Sequence, residues 1–406
     1  MYTSEENKRI KVTFIFPGPY PKGKVTPRRA HLLAKGLVQN DVNVLMLVTE
    51  ATENKDNILN STSFGTYEGV KYEYIGGTTV RDLRFFQRQI RKIVNHFSLL
   101  FYLLTNKYET DIYILLGCSF DYRLLIPMIL KFKKPKVILE INEFPLVTKK
   151  NLIVHLKRWI LFHLIFPLYD GFIPISRNLE NVILKHKSHS AKLLVIPIIG
   201  AEPNLKLTDS YIRPLSEEYI FHAGSLIEQK DGILGLLEAF GIASKELDIP
   251  VKYVFTGVLE NSPNKVEIQN AIVKYELDRK VVFTGYLSDN ELDLYLRYAS
   301  LAIINKQRNL QNEYCFASKI AEYTANEIPV ILTNVGDIGL YFKDGINSII
   351  VNGGKPQELA QAILTIFQNM GKDIKIGMQG RQIFNSYFNY RVQGERFKRF
   401  LIEMSD

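Results

Sequence analysis

The chain has 406 residues, which is more than one hydrophobic core usually organises, so we expect two domains. Hydrophobic residues make up 46% and aromatic residues 12%, which is ample for buried cores. The net charge of +9 is unevenly divided: residues 1–200 hold 29 Lys and Arg against 16 Asp and Glu, whereas residues 201–406 hold 22 against 26. This asymmetry predicts two domains with different partners.

Several classes of protein are disfavoured at once. The two cysteines, Cys118 and Cys315, form neither a metal spacing nor a disulfide framework, and they indicate a reducing cytoplasm. The start, MYTSEENKRIKVTFIF, is polar and runs directly into a strand, so we expect no secretory signal. Nucleic acid is a candidate partner for the basic half, but no zinc spacing, helix-turn-helix or RNP-like pattern supports it. We therefore expect a cytoplasmic protein that binds no nucleic acid.

Strands and helices alternate along the first half. Short apolar runs predict strands at 11–16, 42–49, 111–117, 136–142, 171–176 and 193–197. Thr26 and Pro27 predict the N-cap and first residue of a helix after the first strand. Strands separated by helices pair in parallel, so residues 1–200 are predicted to form a doubly wound, Rossmann-like domain.

The alternation lapses in residues 201–217, which we interpret as a linker, and it resumes in residues 218–385. Strands are predicted there at 218–224, 251–257, 280–285, 300–305, 329–333 and 348–352. The predicted fold class is therefore α/β, with two doubly wound Rossmann-like domains facing a central cleft. Residues 386–406 are expected to form a helix that packs back toward the first domain.

The stretch FASKIAEYTANEIPVILTNVG (316–336) predicts a short helix before a buried strand. Ser318 and Glu322 are four residues apart and share one helical face, and Lys319 adds a positive charge near the helix start. Because free backbone amides at a helix start attract anions, this pattern suits a nucleotide, with ribose hydroxyls on Glu322. The alternative is an ordinary helix start, with Ser318 as N-cap and Glu322 solvated.

Two common nucleotide motifs are missing from the sequence. The first predicted strand is followed by PGPYPKGKVTP (17–27), which lacks the G-x-G-x-x-G spacing of dinucleotide-binding enzymes. No Walker loop occurs either. Redox and P-loop functions are therefore disfavoured.

Three segments of the second half resemble the family-four glycosyltransferases. They are FHAGSLIEQKDGILGLLEAF (221–240), FTGYLSDNELDLYLRYASLAII (283–304) and the stretch from Phe316 to Val351. In the first half, KVTFIFPGPYPKG, ILEINEFP, DGFIPISRNLENVI and KLLVIP resemble the acceptor domain of that family more weakly. The resemblance implies a GT-B fold and transfer of a sugar from a nucleotide diphosphate sugar, usually with retention and without a metal. Such enzymes serve in bacterial surface polysaccharide synthesis.

The same resemblance assigns roles to individual residues. Lys230 matches the lysine that binds the donor phosphates, and Glu322 matches the glutamate that holds the ribose. The remaining predicted donor contacts are Gly224, Ser225, Phe316, Ser318 and Lys319. The alternative for Lys230 is a solvated lysine that leads a helix.

Two positions depart from the family pattern. Ser225 occupies the place of the usual arginine five residues before the lysine. Tyr314 stands where the first glutamate of the E-x7-E motif is expected, with Glu313 one residue away. The sequence SKIAEY (318–323) fits the variant of the family that lacks this glutamate. The identity of the donor sugar is therefore left open, and we expect Lys319 or Ser318 to take over part of the phosphate contact.

In ILEINEFP (138–145), Glu140 and Glu143 follow a predicted strand and are candidate catalytic residues beside Lys230. A carboxylate at a strand end can bind acceptor hydroxyls or assist their deprotonation. The equally weighted alternative is that either residue caps a neighbouring loop.

Residues 84–104 predict one amphipathic helix, with Phe86, Ile90, Ile93, Phe97, Leu100 and Leu104 on one face. Arg84, Arg88 and Arg91 lie on another face, so we expect peripheral attachment to an anionic membrane surface, at the inner face. The alternative is that the helix packs against the sheet. Residues 149–169 are apolar, but Lys157, Arg158 and Pro167 exclude a membrane span, and burial between the domains is an alternative for this segment.

The expected function is therefore transfer of a sugar from a nucleotide diphosphate sugar to a glycan or lipid-linked acceptor. Two other functions remain open. One is a GT-B-fold sugar-nucleotide 2-epimerase, which would need no acceptor. The other is a non-catalytic nucleotide-sugar-binding paralogue, which the departures at Ser225 and Tyr314 suggest.

Overall fold

A computed structural model describes residues 9–23, 25–105, 108–117, 121–146, 151–203, 212–352, 355–369 and 374–405, except the side chains of Tyr122 and Ile374. The chain divides into two compact units. Unit 1 comprises Met1–Ile199 and Tyr390–Asp406, and unit 2 comprises Gly200–Asn389. Lys24, Cys118 and residues 204–211 of the predicted linker lie outside the described residues.

Unit 1 is built on an eight-stranded sheet. Its strands are β1 (Lys11–Phe16), β2 (Asn43–Val48), β3 (Phe64–Tyr67), β4 (Val70–Tyr74), β5 (Ile112–Leu116), β6 (Lys136–Ile141), β7 (Gly171–Pro174) and β8 (Lys192–Leu193). Their order across the sheet is β3-β4-β2-β1-β5-β6-β7-β8. β1 pairs in parallel with β2 on one side and with β5 on the other. All five residues of β5, IYILL, are buried, as expected for a strand covered on both faces.

The α-helices described between these strands are α1 (Val25–Val38), α2 (Phe85–Thr105), α3 (Ile126–Leu130), α4 (Leu152–Ile160) and α5 (Arg177–Leu184). From α2 onward each connection leads to a strand in the direction of β8, whereas α1 leads the opposite way, from β1 to β2. Parallel crossovers are right-handed, so the connections that contain α2, α3, α4 and α5 pass over one face of the sheet, and α1 covers the other.

Unit 2 is built on a six-stranded sheet. Its strands are β9 (Glu218–His222), β10 (Val251–Phe255), β11 (Val281–Phe283), β12 (Leu301–Ile304), β13 (Val330–Thr333) and β14 (Ile349–Val351), in the order β11-β10-β9-β12-β13-β14. Every adjacent pair in this order is parallel. Its helices are α6 (Glu228–Asp231), α7 (Ile233–Ala243), α8 (Lys265–Lys274), α9 (Asp289–Arg297), α10 (Leu310–Tyr314), α11 (Lys319–Ala325), α12 (Ile338–Tyr341), α13 (Pro356–Gln368) and α14 (Ile374–Ile383).

The last helix, α15 (Tyr390–Ser405), belongs to unit 1 and packs on α1. The two helices touch at Gly36 and Gly394, where a β-carbon added to Gly394 would lie 2.5 Å from the carbonyl oxygen of Gly36. Only glycine permits this approach of two backbones. Phe397 on α15 then reaches the sheet, with its ring 6.4 Å from that of Phe14.

The sequence predicted the α/β class and two doubly wound sheets, and the structure confirms both. One hairpin was missed, and two local predictions were wrong. The hairpin of β3 and β4 was missed, although Val70, Tyr72 and Tyr74 alternate as buried residues. The strand predicted at 193–197 ends at Leu193, although the amides of Leu194 and Ile196 still donate to the carbonyls of β7. The helix predicted to start at Thr26 already includes Val25.

The capping box predicted at Ser288 is confirmed. Its hydroxyl accepts from the amide of Glu291, and the Glu291 carboxylate accepts from the amide of Ser288. The helix predicted at 84–104 is confirmed as α2. Among the described residues, no helix is both long and apolar enough to cross a membrane.

Candidate active site

The predicted donor residues of unit 2 follow the carboxyl ends of neighbouring strands. β9, β12 and β13 lie side by side, so the segments after His222, Ile304 and Thr333 meet at one edge of the sheet. Gly224 and Lys230 follow β9, and Lys306 follows β12. Ligands of doubly wound folds bind at this edge.

Gly224 lies at this edge, where there is no room for a side chain. A β-carbon added there would lie 2.7 Å from Nε2 of the buried His222 and 3.2 Å from a carboxylate oxygen of Asp231. Burial lowers the pKa of His222, although Asp231 opposes the shift, so the ring is neutral at pH 7. Ser225 is exposed, and its hydroxyl donates to Oδ2 of Asp231 at 2.7 Å. The serine in the usual arginine position thus belongs to the hydrogen-bond network around Asp231.

Lys230 lies on α6, a single helical turn that is followed directly by Gly232. Gly232 has φ 59° and ψ 42°, a left-handed conformation that glycine adopts without strain. The Asn305 side chain donates to the Gly232 carbonyl at 2.9 Å, and an added β-carbon on Gly232 would lie 2.5 Å from that amide nitrogen. The Lys230 side chain is exposed.

The segment after β12 fixes α6 through three consecutive side chains. Lys306 Nζ donates to the carbonyl of Lys230 at 2.6 Å and lies 2.7 Å from Oδ1 of Asp231. Gln307 donates to the Glu228 carboxylate at 3.0 Å. Together with the hydrogen bond from Asn305 to Gly232, these contacts hold α6 from its first residue to the glycine that follows it. We call the contacts of Asn305, Lys306 and Gln307 with α6 and Gly232 the brace. The Lys230 backbone is therefore held while its ammonium group stays exposed.

Asp231 is the centre of this brace. Burial alone would raise the pKa of its carboxyl, but the positive charge of Lys306 holds that pKa below its usual value. Asp231 and Lys306 were not among the sequence-predicted site residues. Their positions in the sequence could have indicated them. Asp231 stands between Lys230 and Gly232, and Lys306 directly follows the strand predicted at 300–305.

The predicted helix around Lys319 is α11, and Ser318 stands at its N-cap position. The Ser318 side chain makes no capping hydrogen bond, so the ordinary N-cap interpretation is not what the structure shows. Lys319 Nζ donates to Oε2 of Glu322 at 2.9 Å, and the glutamate side chain is only 10% exposed. The alternative of a solvated Glu322 is therefore wrong. The hydroxyl of Tyr323, one helical turn after Lys319, accepts from the amide of Ala223 at 2.8 Å, and this contact joins α11 to the segment after β9.

Phe316 has a structural environment. Its buried ring makes edge-to-face contacts with Tyr341 and Phe388, at centroid distances of 5.5 and 5.7 Å. These contacts occupy the ring, so the Phe316 backbone is the part that is left for a ligand.

Glu313, one residue from the departure at Tyr314, supports the segment after β13. Its carboxylate accepts from the amide of Gly336 at 3.3 Å and lies 3.4 Å from a guanidinium nitrogen of Arg308. This glutamate therefore orders the loop that follows β13.

The two predicted carboxylates of unit 1 differ sharply. Glu140 is 2% exposed and pairs with Nε of Arg29 at 2.8 Å. The other nitrogens of that guanidinium donate to the carbonyls of Ile196 and Pro197. These are the contacts of a structural ion pair, and they leave Glu140 without access to solvent. Glu143 lies just beyond β6 and is exposed.

The comparisons with known proteins agree with this architecture. Residues 206–383 match the family model of glycosyl transferases group 1, and that span covers most of unit 2. Residues 206–383, which make up most of unit 2, are therefore a group 1 glycosyltransferase domain. An uncharacterized glycosyltransferase of Methanocaldococcus jannaschii is 25% identical over 183 residues, which cover 45% of this chain and 47% of that protein. The chain thus matches about half the length of this curated relative.

Solved structures resemble this chain over nearly its whole length. Sucrose-phosphate synthase from Thermosynechococcus elongatus superposes with a TM-score of 0.72 and 15% identity, covering 98% of this chain and 99% of that one. Anabaena HepE in complex with UDP-glucose superposes with a TM-score of 0.71 and 15% identity, covering 97% and 100%. At this identity the likeness establishes the fold, which is GT-B.

Proposed function

We propose that this protein transfers a sugar from a UDP-sugar donor to a glycan or lipid-linked acceptor. The observation that carries the proposal is that Lys230, Lys306 and Lys319 all follow the carboxyl edge of the unit 2 sheet: Lys306 holds the backbone of Lys230, and the helix of Lys319 is bonded to Ala223, next to Gly224. The solved HepE structure with UDP-glucose supports the choice of donor. Retention of the anomeric configuration is part of the proposal and follows from the family resemblance.

Lys230 is the proposed catalytic group. As the glycosidic bond to the donor breaks, the departing UDP gains negative charge, and a cation placed at the diphosphate stabilises that charge in the transition state. Lys230 suits this role because its backbone is braced and its ammonium group is exposed. We propose that this lysine and Lys319 do the work that a divalent cation does in other transferases.

Glu322 and Lys319 are proposed to separate when the donor binds. In the structure they neutralise one another across 2.9 Å. A diphosphate would attract the ammonium group of Lys319, and two ribose hydroxyls could then donate to the Glu322 carboxylate. Ser318 and the backbones of Gly224 and Phe316 complete the proposed phosphate and nucleoside contacts.

On the acceptor side we retain Glu143 alone. Its exposed carboxylate can accept a hydrogen bond from an acceptor hydroxyl, whereas Glu140 is occupied by Arg29. We further propose that the protein works in the cytoplasm at the inner face of the membrane, in surface polysaccharide synthesis. The basic excess of residues 1–200 supports this location.

The decisive experiment follows free UDP. The protein is incubated with a set of UDP-sugars, with and without bacterial membrane extract as a source of acceptors. UDP release that depends on the extract and is lost in Lys230→Ala identifies a transferase. Interconversion of the sugar without acceptor would identify an epimerase, and donor binding without turnover would identify a binding protein. The control is Lys245→Ala, an exposed lysine beyond the end of α7 and therefore at the opposite edge of the sheet.

A further inference from the structure

One face of α2 is apolar and exposed. The residues of α2 that pack inward are Asn95, Leu99, Tyr102 and Leu103. Six large side chains spaced three or four residues apart form a stripe on the other side: Phe86, Ile90, Ile93, Phe97, Phe101 and Leu104. Each is between 47% and 79% exposed. The alternative that the predicted apolar face packs against the sheet is therefore wrong.

The stripe continues onto the turn between α3 and β6. Phe132 is 94% exposed and stands between Lys131 and Lys133 in the sequence KFKKPK. Lys133 Nζ donates to the carbonyl of Leu104, which joins this turn to the end of α2. An almost fully exposed phenylalanine thus lies next to the end of the stripe.

A second apolar surface lies on α4. The helix has no buried residue, and Leu152, Ile153, Leu156 and Trp159 are between 51% and 84% exposed. Because the connection that contains α4 passes over the same face of the unit 1 sheet as α2 and α3, the three exposed surfaces lie on one side of unit 1. We call them together the apolar face. Monomeric proteins rarely expose this many large apolar side chains on one side unless that side binds something.

The charges on this face have one sign. α2, α4 and the KFKKPK turn contain no Asp or Glu, whereas they contain Arg88, Arg91 and Lys92, then Lys157 and Arg158, then the lysines of the turn. Arg91 is paired with Asp82, which lies just before α2. Two copies joined through this face would bring like charges together, which disfavours a dimer. Aromatic side chains between lysines and arginines suit an anionic bilayer, because rings enter the acyl boundary while cations stay at the headgroups.

We propose that the apolar face docks unit 1 on an anionic lipid bilayer at three points: the α2 stripe, Phe132 and α4. The proposal deepens the proposed function, since a lipid-linked acceptor would be presented at that surface. The donor residues lie in unit 2, so membrane docking and UDP binding can be measured separately. UDP binding without docking would overturn this proposal alone, and docking without UDP binding would overturn the proposed function alone.

Trp159 makes the test direct, because it is the single tryptophan of the chain and lies on α4. Wild-type protein is mixed with vesicles of phosphatidylcholine or of phosphatidylcholine with phosphatidylglycerol. We expect a blue shift of tryptophan emission and quenching by brominated acyl chains with the anionic vesicles, and a loss of both at high salt. Unchanged emission with anionic vesicles at low salt would overturn the α4 contact.

Flotation with the same vesicles tests the other two points. The triple change Phe97→Ser, Phe101→Ser and Phe132→Ser should lower the partition coefficient on the order of a hundredfold. The double change Lys92→Glu and Lys131→Glu should lower the partition coefficient by about fivefold or more for each residue.

The matched control replaces exposed aromatic and aliphatic residues elsewhere, Phe64→Ser, Ile212→Ser and Tyr286→Ser, and should leave the partition coefficient unchanged. Equal losses in both triple variants, binding to neutral vesicles alone, or a dimer that protects Trp159 from a soluble quencher would overturn the proposal.

Discussion

Lys306 Nζ lies 2.7 Å from Oδ1 of Asp231, and this ion pair joins the segment after β12 to the segment after β9. The lysine is 24% exposed and the aspartate 12%, so the pair is partly shielded from water. The same ammonium group donates to the carbonyl of Lys230. The position of the proposed catalytic lysine therefore depends on a neighbour 76 residues away in the sequence.

Lys306→Met should lower the free energy of unfolding by about 1–3 kcal/mol at pH 7, because it leaves the Asp231 carboxylate shielded and without its cation. Lys306 holds the pKa of Asp231 below its usual value, so the ion pair contributes fully above about pH 4 and is lost as the pH falls through the folded-state pKa. The difference between variant and wild type should therefore shrink in acid. Denaturant unfolding of both proteins at pH 7 and at an acid pH below 4 measures this difference in the free energy of unfolding.

The matched control for this variant is Lys355→Met, which breaks an exposed pair with Glu358 at 3.3 Å. Exposed pairs contribute little, so the expected change is below about 1 kcal/mol at either pH. An equal loss of unfolding free energy in the two variants would show that the Lys306–Asp231 ion pair stabilises the fold no more than an exposed pair does.

Lys230→Ala should reduce turnover on the order of a hundredfold or more while the protein stays folded. The side chain is exposed, so its removal creates no cavity, and α6 remains held through the Lys230 carbonyl. Initial rates of UDP release at saturating donor measure the loss. Wild-type rates in a folded Lys230→Ala protein would contradict the assignment.

Glu322→Gln should weaken UDP binding about tenfold, because a neutral amide oxygen accepts less strongly from ribose hydroxyls. The change also frees Lys319 from its ion pair, and that effect alone would strengthen contact with the diphosphate. Calorimetry with UDP and with inorganic pyrophosphate separates the two effects. A tighter pyrophosphate contact with weaker UDP binding is the expected pattern, and unchanged affinity for UDP would place Glu322 outside the ribose contact.

Transfer should persist in excess EDTA, because lysine ammonium groups are proposed to replace a divalent cation at the diphosphate. Rates are compared before and after chelation, and again after Mg²⁺ is restored. Strict dependence on the added metal would contradict the proposed roles of Lys230 and Lys319.

The sequence could group the predicted donor residues of unit 2 because they are close together along the chain. Gly224, Ser225 and Lys230 lie within seven residues of one another, directly after a strand, and Lys319 and Glu322 share one turn of α11. Fold class followed from alternating apolar runs for the same reason. The brace between Lys306 and Asp231 spans 75 residues, and periodicity carries no information about such a contact.

The apolar stripe on α2 shows a second limit. Its spacing predicted an amphipathic helix, but spacing alone cannot decide whether the apolar side faces the sheet or solvent. The side that packs, with Asn95 and Tyr102, is the more polar one. Asn95 can be buried because its side chain donates to the carbonyl of Thr49, and this contact cannot be predicted from the sequence.

Substitutions at Glu140 and Glu143 should distinguish a structural carboxylate from a catalytic one. Glu140→Gln should lower the free energy of unfolding by about 3 kcal/mol, because it leaves the Arg29 guanidinium buried without its counter-charge. Glu143→Gln, three residues later on exposed backbone, should leave stability unchanged and instead raise the KM for the acceptor or lower kcat. Thermal unfolding and acceptor kinetics of both variants test the pair together. A stable Glu140→Gln protein that has lost turnover would restore Glu140 to the catalytic residues, and it would require Arg29 to release that carboxylate during the reaction.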